Sequence, residues 1–333
     1  MISYQEPIWK DGEYNYEAAY GFVPNIYTYL HDDDEVRPCM LIVPGGGYCM
    51  VCNVEGEPTA KTFCEMGMNA IVLTYTTDIT MSVPLRKTPL NDISRAVRYV
   101  RANAERFHID PNKITIIGFS AGGHLCASLV THYDDIADPD PSLNEISNRP
   151  DGAVLCYPVI TASDFTHKSS IESLVGYTPT MEELDYFSLE NHVTPDTPQC
   201  FVWQTVEDEA VPVKNSEVFA SALRENNVPY AYYAFPNGLH GMSVCSEDVQ
   251  NDNFGEPYTF DQLDRAIEAV RANKGVNVSD KRRTELMIQF FGNEEGIYDP
   301  DWKPEKPEPR VFYDDVCSWP KLCESWLRRS GLL

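Results

Sequence analysis

Six short apolar runs recur along the 333-residue chain, at 39–44 (CMLIVP), 70–75 (AIVLTY), 114–118 (ITIIG), 152–157 (GAVLCY), 200–205 (CFVWQT) and 230–235 (YAYYAF). A strand that is apolar at consecutive positions is buried on both faces, which is the habit of a parallel sheet. Helical patterns fill most of the gaps, at 57–66, 92–107, 121–131 and 216–226. The clearest, DISRAVRYVRANAERF, puts Ile93, Ala96, Val97, Val100 and Ala104 on one stripe. Strand and helix in alternation predict a doubly wound α/β unit: a mostly parallel central sheet with helices on both faces. The length suits one large α/β domain over 1–333, ample for a buried core without disulfide or metal staples.

Two segments break the rhythm. Residues 160–198 are polar, hold Pro179, Pro195 and Pro198, and show no clean strand. They read as an irregular excursion where a lid or substrate loop would sit. Residues 246–315 follow the last strand as an insertion. It carries helical patterns at 260–272 and 281–291, then an acidic, proline-bearing stretch at 294–315 read as an extended arm. A short helix at 319–327, with Trp319, Leu322, Cys323, Trp326 and Leu327, is apolar enough to dock on the core.

The charge is lopsided, with 26 Lys+Arg against 51 Asp+Glu and a net −25. Such a surface repels nucleic-acid phosphates and anionic lipid headgroups, which argues against nucleic-acid and membrane partners. The opening MISYQEPIWKDGEYN lacks a basic region followed by an apolar stretch, and no run is long enough to span a bilayer. Ten cysteines without a signal segment point to the cytoplasm. Cys49–Cys52 is the one close CxxC and has no second pair to complete a zinc site, so no metal is expected.

The strongest chemical signal is Gly118-Phe119-Ser120-Ala121-Gly122, a GxSxG placed directly after the run ITIIG and before a helical pattern. That context is the one a nucleophile elbow requires. The sharp turn exposes the Ser120 hydroxyl and leaves the Ala121 amide at a helix start, where it can donate to an oxyanion. Pro44-Gly45-Gly46-Gly47-Tyr48 follows another strand, and its glycines free the amides of Gly46 and Gly47 for the same task. A phosphate loop is excluded by the lack of GK[ST] and of GxGxxG.

A serine needs a base, and the base an orienting acid. His240 lies in Asn-Gly-Leu-His-Gly after the last run, flanked by glycines; the other six histidines fall in a helix or in polar connections. Asp208 follows CFVWQT in a loop between Ser120 and His240, with Glu207 and Glu209 as close rivals and Asp164 as a remote one. The order Ser120, Asp208, His240 is that of α/β-hydrolases.

GFSAGGHL, PGGGY, Asp208-Glu-Ala-Val-Pro and GLHG together resemble α/β-hydrolase fold esterases, nearest to the bacterial acetyl-esterase and acetyl-xylan-esterase-like group. Residues 92–125, SLVGY at 173–177, 187–198 and WPKLCESWL extend the resemblance over roughly 36–245 plus the last helix. Two departures stand out: Pro44 replaces the histidine of a lipase-type HGGG, and 246–315 is longer than the usual link.

The resulting expectation is an ester hydrolase that removes a small acyl group, acetyl foremost, from a carbohydrate. Ser120 attacks, His240 shuttles the proton, Asp208 orients His240, and the amides of Gly46, Gly47 and Ala121 hold the oxyanion, without a cofactor. The rate is expected to fall as acid protonates His240. Tyr48, Tyr177 and Trp203 are candidate pocket walls. The partner is a small-molecule ester, an acetylated sugar, and a homo-oligomer is compatible with the sequence. A general carboxylesterase, lipase or peptidase on the same triad, and a catalytically silent binding protein of this fold, are the rivals.

Overall fold

The computed structural model describes residues 1–255, 257–303 and 311–333. Among the described residues eight strands form one sheet: β1 (Gln5–Pro7), β2 (Asn25–Tyr29), β3 (Arg37–Val43), β4 (Asn69–Thr74), β5 (Ile109–Phe119), β6 (Gly152–Cys156), β7 (Cys200–Thr205) and β8 (Tyr230–Phe235). Their order is β1-β2-β4-β3-β5-β6-β7-β8. From β4 to β8 every pairing is parallel, while β1 and β2 add an antiparallel edge.

Side chains alternate across a strand, so each strand feeds two cores. Cys39, Leu41 and Val43 of β3 pack with Ile93, Val97, Leu125 and Phe219, from the helices Thr88–Ala102, Ala121–His132 and Lys214–Glu225. Met40 and Ile42 pack on the other side with Phe63, Trp319 and Leu327, from Glu57–Glu65 and Trp319–Arg329. This two-sided burial is why the central strands read as unbroken apolar runs. β8, at the sheet edge, is partly exposed and alternates less cleanly.

Some expectations shift. The pattern at 92–107 forms a helix over Thr88–Ala102. Pro89 is favoured in a first helical turn, and the chain leaves the helix at Asn103 before a left-handed His108 (φ 51°). The antiparallel strands β1 and β2 had no counterpart among the apolar runs. Residues 160–198 are more ordered than an irregular excursion. They hold the helices Lys168–Val175 and Met181–Tyr186, the second opened by a reciprocal cap between Thr180 and Glu183.

In the insertion, helices form at Asp261–Arg271 and Asp280–Phe291. The acidic arm read at 294–315 falls in part at 304–310, outside the described residues. No disulfide joins the described cysteines. No helix among the described residues is long and apolar enough to cross a membrane.

Candidate active site

The site lies where β3, β5, β7 and β8 deliver their carboxyl ends. Ser120 follows β5 directly, with left-handed φ 54° and ψ −118°. Such a backbone costs on the order of 1–3 kcal/mol and persists only where the surroundings fix it. Here the Ser120 amide donates to the Cys156 carbonyl (3.0 Å), and its carbonyl accepts from the amides of His124 (3.0 Å) and Val159 (3.2 Å). The glycines are required by close approach. A Cβ on Gly118 would lie 2.1 Å from the Gly122 carbonyl oxygen, and one on Gly122 would lie 2.1 Å from that of Val43.

His240 and Asp208 arrive on loops from neighbouring strands. His240 Nε2 is 2.8 Å from Ser120 Oγ, and its Nδ1 is 2.7 Å from Asp208 Oδ2. A carboxylate can only accept, so Nδ1 carries the hydrogen and Nε2 is left to accept from the serine hydroxyl. Asp208 is buried, and its Oδ1 takes the amides of Ala210 (3.0 Å) and Val211 (2.9 Å). Gln204 donates to Oδ2 at 3.3 Å. The carboxylate is thereby fixed before it meets the imidazole. Of its rivals, Glu207 instead accepts from the Gly238 amide (3.3 Å), and Asp164 is exposed.

The glycine loop after β3 wraps against the elbow. Gly46 and Gly47 have φ of 125° and 65°, and the Gly46 carbonyl accepts from the amides of Cys49 and Met50. Among the described residues, no backbone hydrogen bond occupies the amides of Gly46, Gly47 or Ala121. Such amides at strand ends and a helix start are available to a developing oxyanion. The Gly45 amide, by contrast, is bound to Glu55 Oε2 at 2.7 Å.

The three aromatic candidates fare differently. Trp203 is fully buried, stacked on Trp319 at 5.0 Å between centroids. It lies within β7 beside the core, so the pocket-wall reading is corrected. Tyr48 is also turned inward, 1% exposed, with its hydroxyl 2.8 Å from His124 Nδ1. Burial holds the Tyr48 phenol well above its usual range, so it donates. His124 Nε2 then donates to the Phe187 carbonyl (3.1 Å), and burial pushes this imidazole down to about 4. Tyr48 therefore braces the helix behind the serine and is not a wall. Tyr177 is 65% exposed at the rim of the 160–198 segment.

Residues that the sequence did not flag complete the surroundings. Tyr157, after β6, sets its ring edge-on to His240 at 4.9 Å between centroids. His167 Nδ1 is 2.8 Å from Ser170 Oγ. Burial lowers the His167 imidazole, and the nearby His240 adds to this. A groove of about 580 Å³ lies in the 160–198 segment, lined by Ala162, Met181 and Leu184 as well as Ser163, Asp164, Lys168, Asp185 and Asn191; Ser120, Asp208 and His240 do not line it. A phenol in a strand-end turn and a histidine in a polar loop carry no local pattern, so sequence alone could not single them out.

The BD-FAE family model matches residues 25–223. Endo-1,4-beta-xylanase B of Butyrivibrio fibrisolvens is 55% identical over 267 residues, covering 80% of this chain and 42% of that protein. Acetylxylan esterase of Xylanibacter ruminicola is 30% identical over 209 residues, covering 60% of this chain and 40% of that protein. The chain thus spans about two fifths of the length of these curated relatives. Among solved structures, the acetyl ester-xyloside bifunctional hydrolase of Caldicellulosiruptor lactoaceticus superposes with a TM-score of 0.75 at 30% identity. That match covers 99% of this chain and 97% of the other.

Proposed function

The chain belongs to the BD-FAE family, within the esterase group of α/β-hydrolases, and from that premise we propose that it is a serine esterase removing short acyl groups, acetyl foremost, from a carbohydrate such as a xylan-derived oligosaccharide. The observation that carries the reading is the unbroken hydrogen-bonded line Ser120 Oγ, His240, Asp208, at 2.8 and 2.7 Å. The names of the xylan-related relatives support the carbohydrate half of the proposal.

In the first half-reaction the Ser120 oxygen bonds to the ester carbonyl carbon while His240 Nε2 takes the hydroxyl proton. The carbonyl oxygen becomes an oxyanion facing the amides of Gly46, Gly47 and Ala121. His240 returns the proton to the sugar oxygen as the carbon–oxygen bond breaks. A water then repeats the sequence on the acyl-enzyme, releasing the acid and free Ser120. Asp208 keeps Nδ1 protonated and balances the imidazolium. No step requires a metal or an organic cofactor.

The test is initial-rate hydrolysis of p-nitrophenyl esters from acetate to octanoate, and of acetylated xylo-oligosaccharides, by wild type and Ser120→Ala. Acetate preference that Ser120→Ala lowers by about 10³-fold or more is the expected result. Octanoate preference, or unchanged activity in the variant, would overturn it.

A further inference from the structure

Below the glycine loop sits a buried acid that the triad does not use. Glu55 is 4% exposed and stands between two loops of the site. Its Oε2 accepts the Gly45 amide at 2.7 Å, one residue before the free amides of Gly46 and Gly47. Its Oε1 accepts the Tyr157 hydroxyl at 2.7 Å. Tyr157 touches the His240 ring, and its hydroxyl oxygen accepts the Ser243 amide at 3.0 Å, three residues beyond His240. Ser243 Oγ closes the ring by donating to the Val54 carbonyl at 2.8 Å, next to Glu55. Burial holds the Tyr157 phenol well above its usual range, and the adjacent Glu55 adds to this, so the hydroxyl keeps the hydrogen that it donates.

We propose that Glu55 is a positioning residue for ester hydrolysis, one carboxylate that sets the oxyanion loop through Gly45 and the His240 loop through Tyr157 and Ser243. A carboxylate at this place can accept from both donors at once, which neither an amide nor a hydroxyl can do in the same geometry. The two parts that must agree in the transition state, the oxyanion donors and the base, are thereby referenced to one rigid group. A small misplacement of either is costly to rate without being costly to ground-state binding.

This inference rests on the ester reading above, and the experiment separates the two. Steady-state kinetics on p-nitrophenyl acetate are measured for wild type, Ser120→Ala, Glu55→Gln, Tyr157→Phe and the Glu55→Gln/Tyr157→Phe pair, with near-ultraviolet circular dichroism as the check of folding. In Glu55→Gln an amide NH₂ must face either the Gly45 amide, donor against donor, or the Tyr157 hydroxyl, which then has to accept and loses the acceptor for its own hydrogen. The expected result is a kcat lowered by about 10- to 100-fold with KM within about threefold.

Tyr157→Phe removes one of the facing donors, so the double variant is expected to be no slower than Glu55→Gln alone. Independent structural defects would instead multiply. Wild-type kcat in both single variants, or a raised KM at constant kcat, overturns the proposal while Ser120→Ala remains inactive. Should Glu55→Gln fail to fold, Tyr157→Phe carries the same kcat-against-KM test alone. Activity that survives in Ser120→Ala would strike at the ester reading instead.

Discussion

The proposed catalytic crevice and the insertion after β8 sit close together but are held by different forces. In the crevice each functional group is tied by directional hydrogen bonds to backbone that the sheet already fixes: Asp208 to two amides, Ser120 to the Cys156 carbonyl, Gly45 to Glu55. The insertion is held chiefly by packing. Leu263, Ala266, Ile267, Val270, Leu286 and Met287 close a small core over Ile79, in the segment after β4, with Cys49 and Met50 of the glycine loop at its border. Polar pins supplement it, among them Gln262, which takes the Thr77 amide at 2.9 Å, and Arg282, which donates to the Ile79 carbonyl at 2.7 Å. Directional bonding fixes atoms to the tolerance that chemistry needs, whereas non-directional packing fixes a surface. The crevice is therefore expected to fail in rate and the insertion in stability.

The largest separation is expected at Gly46. A Cβ there would meet the Met50 carbonyl oxygen at 2.2 Å, on a backbone with φ 125°. Gly46→Ala should displace the oxyanion amides and lower kcat by about 10²- to 10³-fold, as loss of one such donor does elsewhere. Circular dichroism should still report a folded chain. A kcat within threefold of wild type would show that the loop does not set the rate.

Leu286→Ala probes the other region. Leu286 is fully buried in the insertion's core, and its truncation should cost about 2–5 kcal/mol in the unfolding of that region. The rate on p-nitrophenyl acetate at 25 °C should stay within about threefold. A kcat loss matching that of Gly46→Ala would erase the distinction and make the insertion part of the machinery.

A third expectation concerns His124, behind the elbow. Its folded-state value of about 4 lies below the ordinary imidazole value, so the unfolded chain takes up a proton first. Stability is thus complete above about pH 6.5, falls as the pH drops towards 4, and levels off below; the whole effect is on the order of 3 kcal/mol. Asp92, pushed up to about 7 by burial, acts in the opposite sense over the same window. The readout is therefore a difference: in urea unfolding, His124→Gln should gain stability relative to wild type as the pH falls from 7 to 4. A difference that does not change with pH would mean that His124 is not buried neutral.

Much of the crevice was legible because its residues belong to local patterns. Ser120, Gly46 and His240 each sit in a glycine-marked turn directly after an apolar strand, and strand ends are where α/β sheets expose groups. Trp203 misled because its type suggested a sugar platform. Its parity with Phe201 along β7 points it into the core beneath the helix Trp319–Arg329. Glu55 was invisible for the opposite reason, since a glutamate in a loop normally reads as surface. Its burial depends on Gly45 and Tyr157, ten and 102 residues away, and no spacing rule encodes such a meeting. The strand β2 (NIYTY) is short and half polar, and it gains its partners β1 and β4 from elsewhere in the chain rather than from its own pattern.

The central claim, that Ser120 is the nucleophile of an ester hydrolase, is tested most directly by covalent labelling. Wild type and Asp208→Asn are incubated with diethyl p-nitrophenyl phosphate, and intact and peptide masses are followed with time. The account predicts a single diethylphosphoryl adduct on Ser120, with loss of esterase activity in step. It also predicts labelling slower by about 10³- to 10⁴-fold in Asp208→Asn, where His240 is left in the wrong tautomer. An adduct on another residue, or none while ester hydrolysis proceeds, would contradict it.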